Sequence, residues 1–364
     1  MILMNDFKAE PKELHEAMLE RARQVLASGW YVLGQEVTDF ESTWAQTCGV
    51  AHAIGVGNGM DAIEIALRAL HIGPGDEVIT TPMTAFATVL AILRAGAQPV
   101  LADIDPATAL LSLESVQRCI TPRTKALVLV HLYGQVRAMD RWQDLCQQAG
   151  ITLIEDCAQA HLASWRGRVA GSFGAAGAYS FYPTKNLGAV GDGGMVVTAN
   201  KDLADRARVL RNYGQTVRYH HPELGLNSRL DEMQAAILAA RLPWLEEFTE
   251  RRRAISRAYQ QGISHPQVRL LAPPEETLAH VYHLYVVTCP DRDALQSHLK
   301  THQIQSLIHY PIPVHHQIPC HDILRDPQGL GASEAHANTC LSLPCHPQMD
   351  EQQVEAVINT VNSF

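Results

Sequence analysis

The sequence predicts an α/β protein, with a mostly parallel central sheet flanked by helices and a smaller C-terminal α+β domain. Three observations carry this. Strand-like and helix-like patterns alternate through the first two-thirds of the chain, which calls for crossover connections and helices on both faces of a sheet. "KALVLVHLYG" is almost continuously apolar, as a central parallel strand covered on both faces must be. From about residue 246 the pattern changes to a shorter mixture of strands and helices, which divides the chain into residues 1–245 and 246–364.

The elements follow in order. "AHAIGVG" is a short strand running into glycines, and "MDAIEIALRAL" is a helix with positions 63, 66, 67 and 70 on one apolar face. "DEVITT" is a strand, "TAFATVLAILRAG" a helix stopped by Gly96, and "QPVLADI" a strand. "GITLIEDCAQ", "AGAYSFY" and "GGMVVTA" complete the sheet. "SRLDEMQAAILAARLPWLEEF" reads as one long amphipathic helix, capped by Ser228 with Asp231 three residues on. "HLYVVTCP", "DALQSHLKTHQI" and "EQQVEAVINTV" belong to the smaller domain.

Composition narrows the function. The chain of 364 residues is 46% hydrophobic and 18% charged, and its net charge is −9 with no basic block. That argues against nucleic-acid binding, which needs a cationic surface. No apolar run reaches a membrane span, and "MILMNDFKAEPKEL" lacks the zones of a signal peptide, so a cytoplasmic protein is expected. The eight cysteines form no Cys-x-x-Cys pair. Cys320-His321, Cys340 and Cys345-His346 match no common zinc spacing, so no metal is expected.

Three features fall where ligands of open α/β sheets sit, beyond the carboxyl ends of strands. "GVGNGM" is glycine-rich and leads directly into a helix, a ready cradle for phosphate. Its Gly55-x-Gly57-x-Gly59 spacing is not the dinucleotide fingerprint, and a plain tight turn is the alternative. Asp156 directly follows an apolar strand, where a carboxylate is costly unless it meets a cation, or else caps a helix. Lys185 stands alone: no charged residue lies between Arg168 and Lys185, or between Lys185 and Asp192. A lysine in such surroundings has a lowered pKa and more free amine, as Schiff-base chemistry requires, whereas a solvated loop lysine would not. Together the three describe a pyridoxal phosphate (PLP) site: an amine for the aldehyde, an acid for the ring nitrogen, and a helix start for the phosphate.

"FYPTKNLGAVGDGG", "RNYGQ", "GLNSRLDEMQAAIL", "EDCAQAH" and "HYPIPVHHQ" resemble the sugar-nucleotide aminotransferases, the DegT/DnrJ/StrS family of fold-type-I PLP enzymes. The resemblance runs from about Gly29 to the C-terminus. It implies a homodimer with shared active sites, and transfer of an amino group from L-glutamate to a keto sugar on a nucleoside diphosphate. Carried over, Lys185 is the Schiff-base lysine and proton shuttle, Asp156 pairs with the pyridine nitrogen, and Gln159 bonds the ring's 3-hydroxyl. Gly59 and Met60 give backbone N–H groups to the phosphate, Ser180 assists, and Asn227 reaches it from the partner subunit. Phe86 stacks on the ring, with Ala85 as the alternative. Met60 departs from the Ser or Thr usual in the family, which removes a hydroxyl contact.

"TVRYHHPELGLNSRLDE" resembles the branch that aminates C3 of 3-keto-6-deoxyhexoses on thymidine diphosphate. That likeness places Arg218 and Tyr219 at the diphosphate, and His220 and Tyr182 at the sugar. Tyr31, Tyr310 and His315 are further pocket candidates. The plainer alternatives are a polar loop for "RYHH" and interface packing for Tyr31 and Tyr310.

Overall fold

A computed structural model describes residues 1–364. Its main sheet has eight strands, in the order His52–Val56, Gly194–Thr198, Ala176–Ser180, Thr152–Asp156, Thr124–Val130, Glu77–Thr80, Gln98–Leu101 and Leu324–Arg325. Five neighbouring pairs are parallel, and Gly194–Thr198 is antiparallel to the strand on either side. The interior strands are buried along almost their whole length, which explains their continuous apolar sequence. Helices cover both faces and produce two cores. One contains Ile79, Leu127, Tyr179 and Trp44, and the other Ile54, Val128, Ala178 and Val196.

A second sheet, Arg269–Leu270, Tyr285–Thr288 and Cys340–Leu343, is antiparallel and has its own core around Val287, Leu295, Leu341 and Val357. The helix Leu245–Gly262 serves both parts: Leu245 packs in the first core, Ile255 and Tyr259 in the C-terminal one. No helix is long and apolar enough to cross a membrane.

Two local readings of the sequence are corrected. The helix expected from Ser228 begins at Glu232, and Ser228 instead accepts a hydrogen bond from the Gly57 N–H at 2.9 Å. The helix also does not run through: it ends at Arg241, a 3₁₀ turn spans Leu242–Trp244, and a new helix starts at Leu245. Pro243 is the cause, because it lacks an N–H and its ring crowds the carbonyl four residues back. Tertiary contact decides the start. Glu232 accepts from the N–H groups of Gly34 (2.7 Å), Glu36 (2.9 Å) and Val37 (3.2 Å), so the helix begins where its first residue caps the helix Gln35–Cys48.

Candidate active site

The strand Thr152–Asp156 ends in two acids that point to opposite faces, as successive strand residues must. Glu155 is fully buried and accepts from the N–H groups of Gly171 (2.8 Å), Phe173 (2.7 Å) and Gly174 (2.8 Å), and it meets His131 Nε2 at 2.9 Å. It is a structural clamp on the 171–174 turn. Asp156 faces the other way, 6% exposed. Its Oδ2 accepts from Thr88 Oγ1 at 2.8 Å and its Oδ1 from the Ala158 N–H at 3.1 Å. Both hydrogen-bond partners, a hydroxyl and an amide, are neutral, so the carboxylate can still accept from a charged donor.

Lys185 lies in the turn after the strand Ala176–Ser180, where its N–H bonds the Tyr182 carbonyl at 2.8 Å. Its side chain is half-buried. Burial lowers the amine's pKa from 10.5 to about 8, partly opposed by the nearby negative charge of Asp156. Three histidines share its surroundings. Burial first, and the positive charge of Lys185 second, push His161 down to about 3, His309 to about 4 and His283 downward. All three rings are neutral at pH 7. His161 is enclosed by Trp44, Tyr179 and Phe181, with ring centroids 5.8, 5.3 and 5.7 Å away.

Gln159 is oriented by its neighbours. Its Oε1 accepts from the Tyr133 N–H at 2.6 Å, leaving the Nε2 donors for Tyr310 Oη at 3.2 Å and for the cavity. Tyr133 presents that N–H from a left-handed conformation, φ 61°. Burial, and then the charge of Asp156, raises the Tyr310 hydroxyl to about 12. Tyr310, Gln159 and Asp156 therefore form one cluster.

The glycine stretch supplies the next wall. The helix Gly59–Ala69 starts under an Asn58 cap that accepts from the Asp61 N–H at 2.8 Å. Gly59 lies against Ser180: a Cβ at 59 would sit 2.6 Å from Ser180 Cβ. Gly194 is pressed as closely, its added Cβ falling 2.3 Å from the Asn58 carbonyl oxygen. The helix N-terminus and the Ser180 hydroxyl thus meet at one point, a geometry suited to phosphate. Met60 is half-buried and leans on the core containing Ile63.

The remaining sequence candidates divide into three groups. Phe86 opens the helix Phe86–Arg94 and packs on Val89, Leu101 and Val314, while Ala85 caps that helix. Tyr31, Tyr182, Arg218, Tyr219, His220 and Asn227 are all exposed on the single chain. Arg218 lies over the Tyr219 ring at 5.0 Å, on a tight turn bridged between Val217 and His220. His315 is withdrawn: it is 2% exposed and its Nε2 meets Glu334 at 3.0 Å, so it faces the helix Gly331–Thr339. Cys320, Cys340 and Cys345 lie in three separate cores. Thr88, Tyr133, His161, His283 and His309 were not anticipated. Thr84 and Thr88 left a trace in the sequence, as two hydroxyls four residues apart at a helix start, and His161 and His309 stand inside "EDCAQAH" and "HYPIPVHHQ".

The residues fit PLP on this chain's own evidence: a buried carboxylate hydrogen-bonded by neutral groups, an amine of lowered pKa coupled to it by charge, and a glycine-lined helix start. Comparison with known proteins agrees. Residues 12–362 match the DegT/DnrJ/EryC1/StrS aminotransferase family. The chain is 42% identical to the "Pleiotropic regulatory protein" of Geobacillus stearothermophilus, over 99% of this chain and 98% of that one. It is 44% identical to the dTDP-3-amino-3,4,6-trideoxy-alpha-D-glucose transaminase of Streptomyces venezuelae, over 99% and 95%. Among solved structures, S. venezuelae DesV in complex with a ketimine intermediate superposes with a TM-score of 0.94 at 43% identity, covering 100% of this chain and 97% of that one. The chain belongs to the DegT/DnrJ/EryC1/StrS aminotransferase family.

Proposed function

We propose that the protein is a PLP-dependent aminotransferase that moves an amino group from L-glutamate to C3 of a 3-keto-6-deoxyhexose carried on thymidine diphosphate. The carrying observation is Lys185, an amine of lowered pKa coupled by charge to the buried carboxylate of Asp156, whose own hydrogen-bond partners are a hydroxyl and an amide. PLP, when bound, supplies an aldehyde and an electron-withdrawing ring. Asp156 would hold the ring nitrogen and favour its protonated form. Gln159 would offer a Nε2 donor to the ring oxygen, since Tyr133 holds its Oε1. The N–H groups of Gly59 and Met60, with the Ser180 hydroxyl, would hold the phosphate. Lys185, with a pKa of about 8, has about a tenth of its amine neutral at pH 7 and would be the group that takes up and returns the proton at its Nζ. His161, His283 and His309 are neutral and add no competing positive charge.

The exposed candidates point to a homodimer. Asn227 faces outward and would complete the partner's phosphate site. Arg218, Tyr219 and His220, on an exposed turn, would reach the diphosphate and sugar there, with Tyr31, Tyr182 and Tyr310 lining the pocket. Phe86 remains the proposed stacking residue. Residues 1–245 would carry the cofactor and 246–364 form the smaller domain. His315 would act only indirectly, since Glu334 already engages it.

The test is to incubate the purified protein with PLP, glutamate and a panel of nucleotide-linked keto sugars. The 3-keto-6-deoxyhexose on thymidine diphosphate is expected to yield the 3-amino sugar and 2-oxoglutarate. Amination of a 4-keto sugar, a 3-keto-hexuronate or a cyclitol ketone alone would overturn the substrate assignment while keeping the reaction. A regulatory role is suggested by the names of two relatives, the G. stearothermophilus "Pleiotropic regulatory protein" and the "Erythromycin biosynthesis sensory transduction protein EryC1" of Saccharopolyspora erythraea, and turnover of any panel member would show that the chain keeps enzymatic activity.

A further inference from the structure

We infer that Thr88 is a positioning residue for the Asp156 carboxylate, and that its hydroxyl sets the direction in which Asp156 meets the cofactor's ring nitrogen. The inference rests on the PLP reading above. Thr88 is 1% exposed and sits in the first turn of the helix Phe86–Arg94. Its Oγ1 lies 2.8 Å from Asp156 Oδ2 and 2.8 Å from Thr84 Oγ1. An ionised carboxylate has no proton to give, so Thr88 donates to Asp156 and Thr84 in turn donates to Thr88. The chain of hydroxyls therefore has one direction, Thr84 to Thr88 to Asp156.

That direction matters because a carboxylate turns easily about its last bond, a broad and roughly two-fold torsion. The Ala158 N–H occupies Oδ1 and Thr88 occupies Oδ2. One donor on each oxygen fixes the carboxylate plane and leaves a defined lone pair open toward the site. Without Thr88, Oδ2 loses its side-chain donor and the plane is free to swing. A ring nitrogen held less firmly is protonated less fully. The lost positive charge on the ring then leaves the nitrogen of Lys185 more basic.

The experiment compares wild type, Thr88→Val and Thr88→Ser as apoenzymes reloaded with PLP. Thr88→Val keeps the shape and removes the hydroxyl, and Thr88→Ser keeps the hydroxyl and removes the methyl. Loss of one hydrogen bond to a charged group predicts about a 10- to 100-fold effect. In Thr88→Val it should appear as weaker PLP binding and lower kcat, with KM for the sugar nucleotide little changed. The pH midpoint of the bound cofactor's visible absorbance should also move upward, by about one unit, and Thr88→Ser should return each quantity close to wild type. Thr88→Ala repeats the test should the valine variant not fold. The inference is overturned if Thr88→Val matches wild type in binding and absorbance, or if Thr88→Ser is impaired as badly as Thr88→Val. A wild-type protein that takes up no PLP overturns the cofactor reading and this inference with it.

Discussion

Gly59→Ala adds one methyl group at a crowded point of the helix start proposed to hold phosphate. The new Cβ would stand 2.6 Å from Ser180 Cβ, 3.1 Å from its Cα and 3.3 Å from its Oγ. Carbon atoms in contact prefer roughly 3.5–4.0 Å, so the helix and strand must part by about 1 Å. No rotamer change helps, because the obstructing atoms are a Cβ and a Cα on a strand of the main sheet. Overpacking of this kind costs about 1–3 kcal/mol. Gly59 does not adopt a left-handed φ, so the substitution would otherwise stabilise by about 0.4–1 kcal/mol through the unfolded chain. A net loss therefore isolates the clash. Thermal unfolding of the apoenzyme should fall by a few degrees, since 1 kcal/mol shifts Tm by about 2–4 °C in chains of 150–250 residues and less in longer ones. Equilibrium dialysis should show PLP binding weakened about 10-fold or more, because N–H groups displaced by about 1 Å no longer meet the phosphate at hydrogen-bond distance. Gly59→Ala/Ser180→Gly removes the obstructing Cβ and should recover most of the stability without restoring the Ser180 hydroxyl, a coupling that a double-mutant cycle measures. The reasoning is refuted if Gly59→Ala binds PLP and melts like wild type, or if the double variant recovers no stability.

Two further outcomes concern Lys185. Lys185→Ala should abolish turnover and the covalently bound cofactor's absorbance while leaving the far-UV circular dichroism unchanged; normal turnover would remove the lysine from the mechanism. The rate at which apoenzyme takes up PLP should depend on pH through the free amine. With its pKa lowered from 10.5 to about 8, the amine is half neutral near pH 8 and its neutral fraction levels off about one unit above that. A rate that continued to climb toward pH 10.5 would show an unperturbed lysine.

Much of this site was legible in the order of residues, for a physical reason. Asp156 and Lys185 each end or follow a strand of the parallel sheet, and the ends of such strands converge by topology. Their polarity contrasts with their apolar neighbours, and that contrast survives in a one-dimensional string. The glycines at 57 and 59 were legible as a phosphate cradle but not as two kinds of contact. Gly57 donates to Ser228, while Gly59 makes room for Ser180. Ser228 resembled a helix cap because local spacing suited one; a partner 171 residues away in sequence claimed its hydroxyl instead. His315 stood in the same motif as a pocket candidate, Tyr310, and only the structure shows that its Nε2 meets Glu334.

The chain's own order determined the layered α/β class, the family and the acid, amine and glycine set, because each depends on periodicity or on a residue type out of keeping with its neighbours. Tertiary structure alone decided the lowered pKa of Lys185, the aim of Gln159 and the tether of Thr88 on Asp156. Burial and hydrogen-bond direction are properties of distances in space, and residues 68 positions apart in sequence, such as Thr88 and Asp156, acquire a distance only when the sheet and helix close on each other.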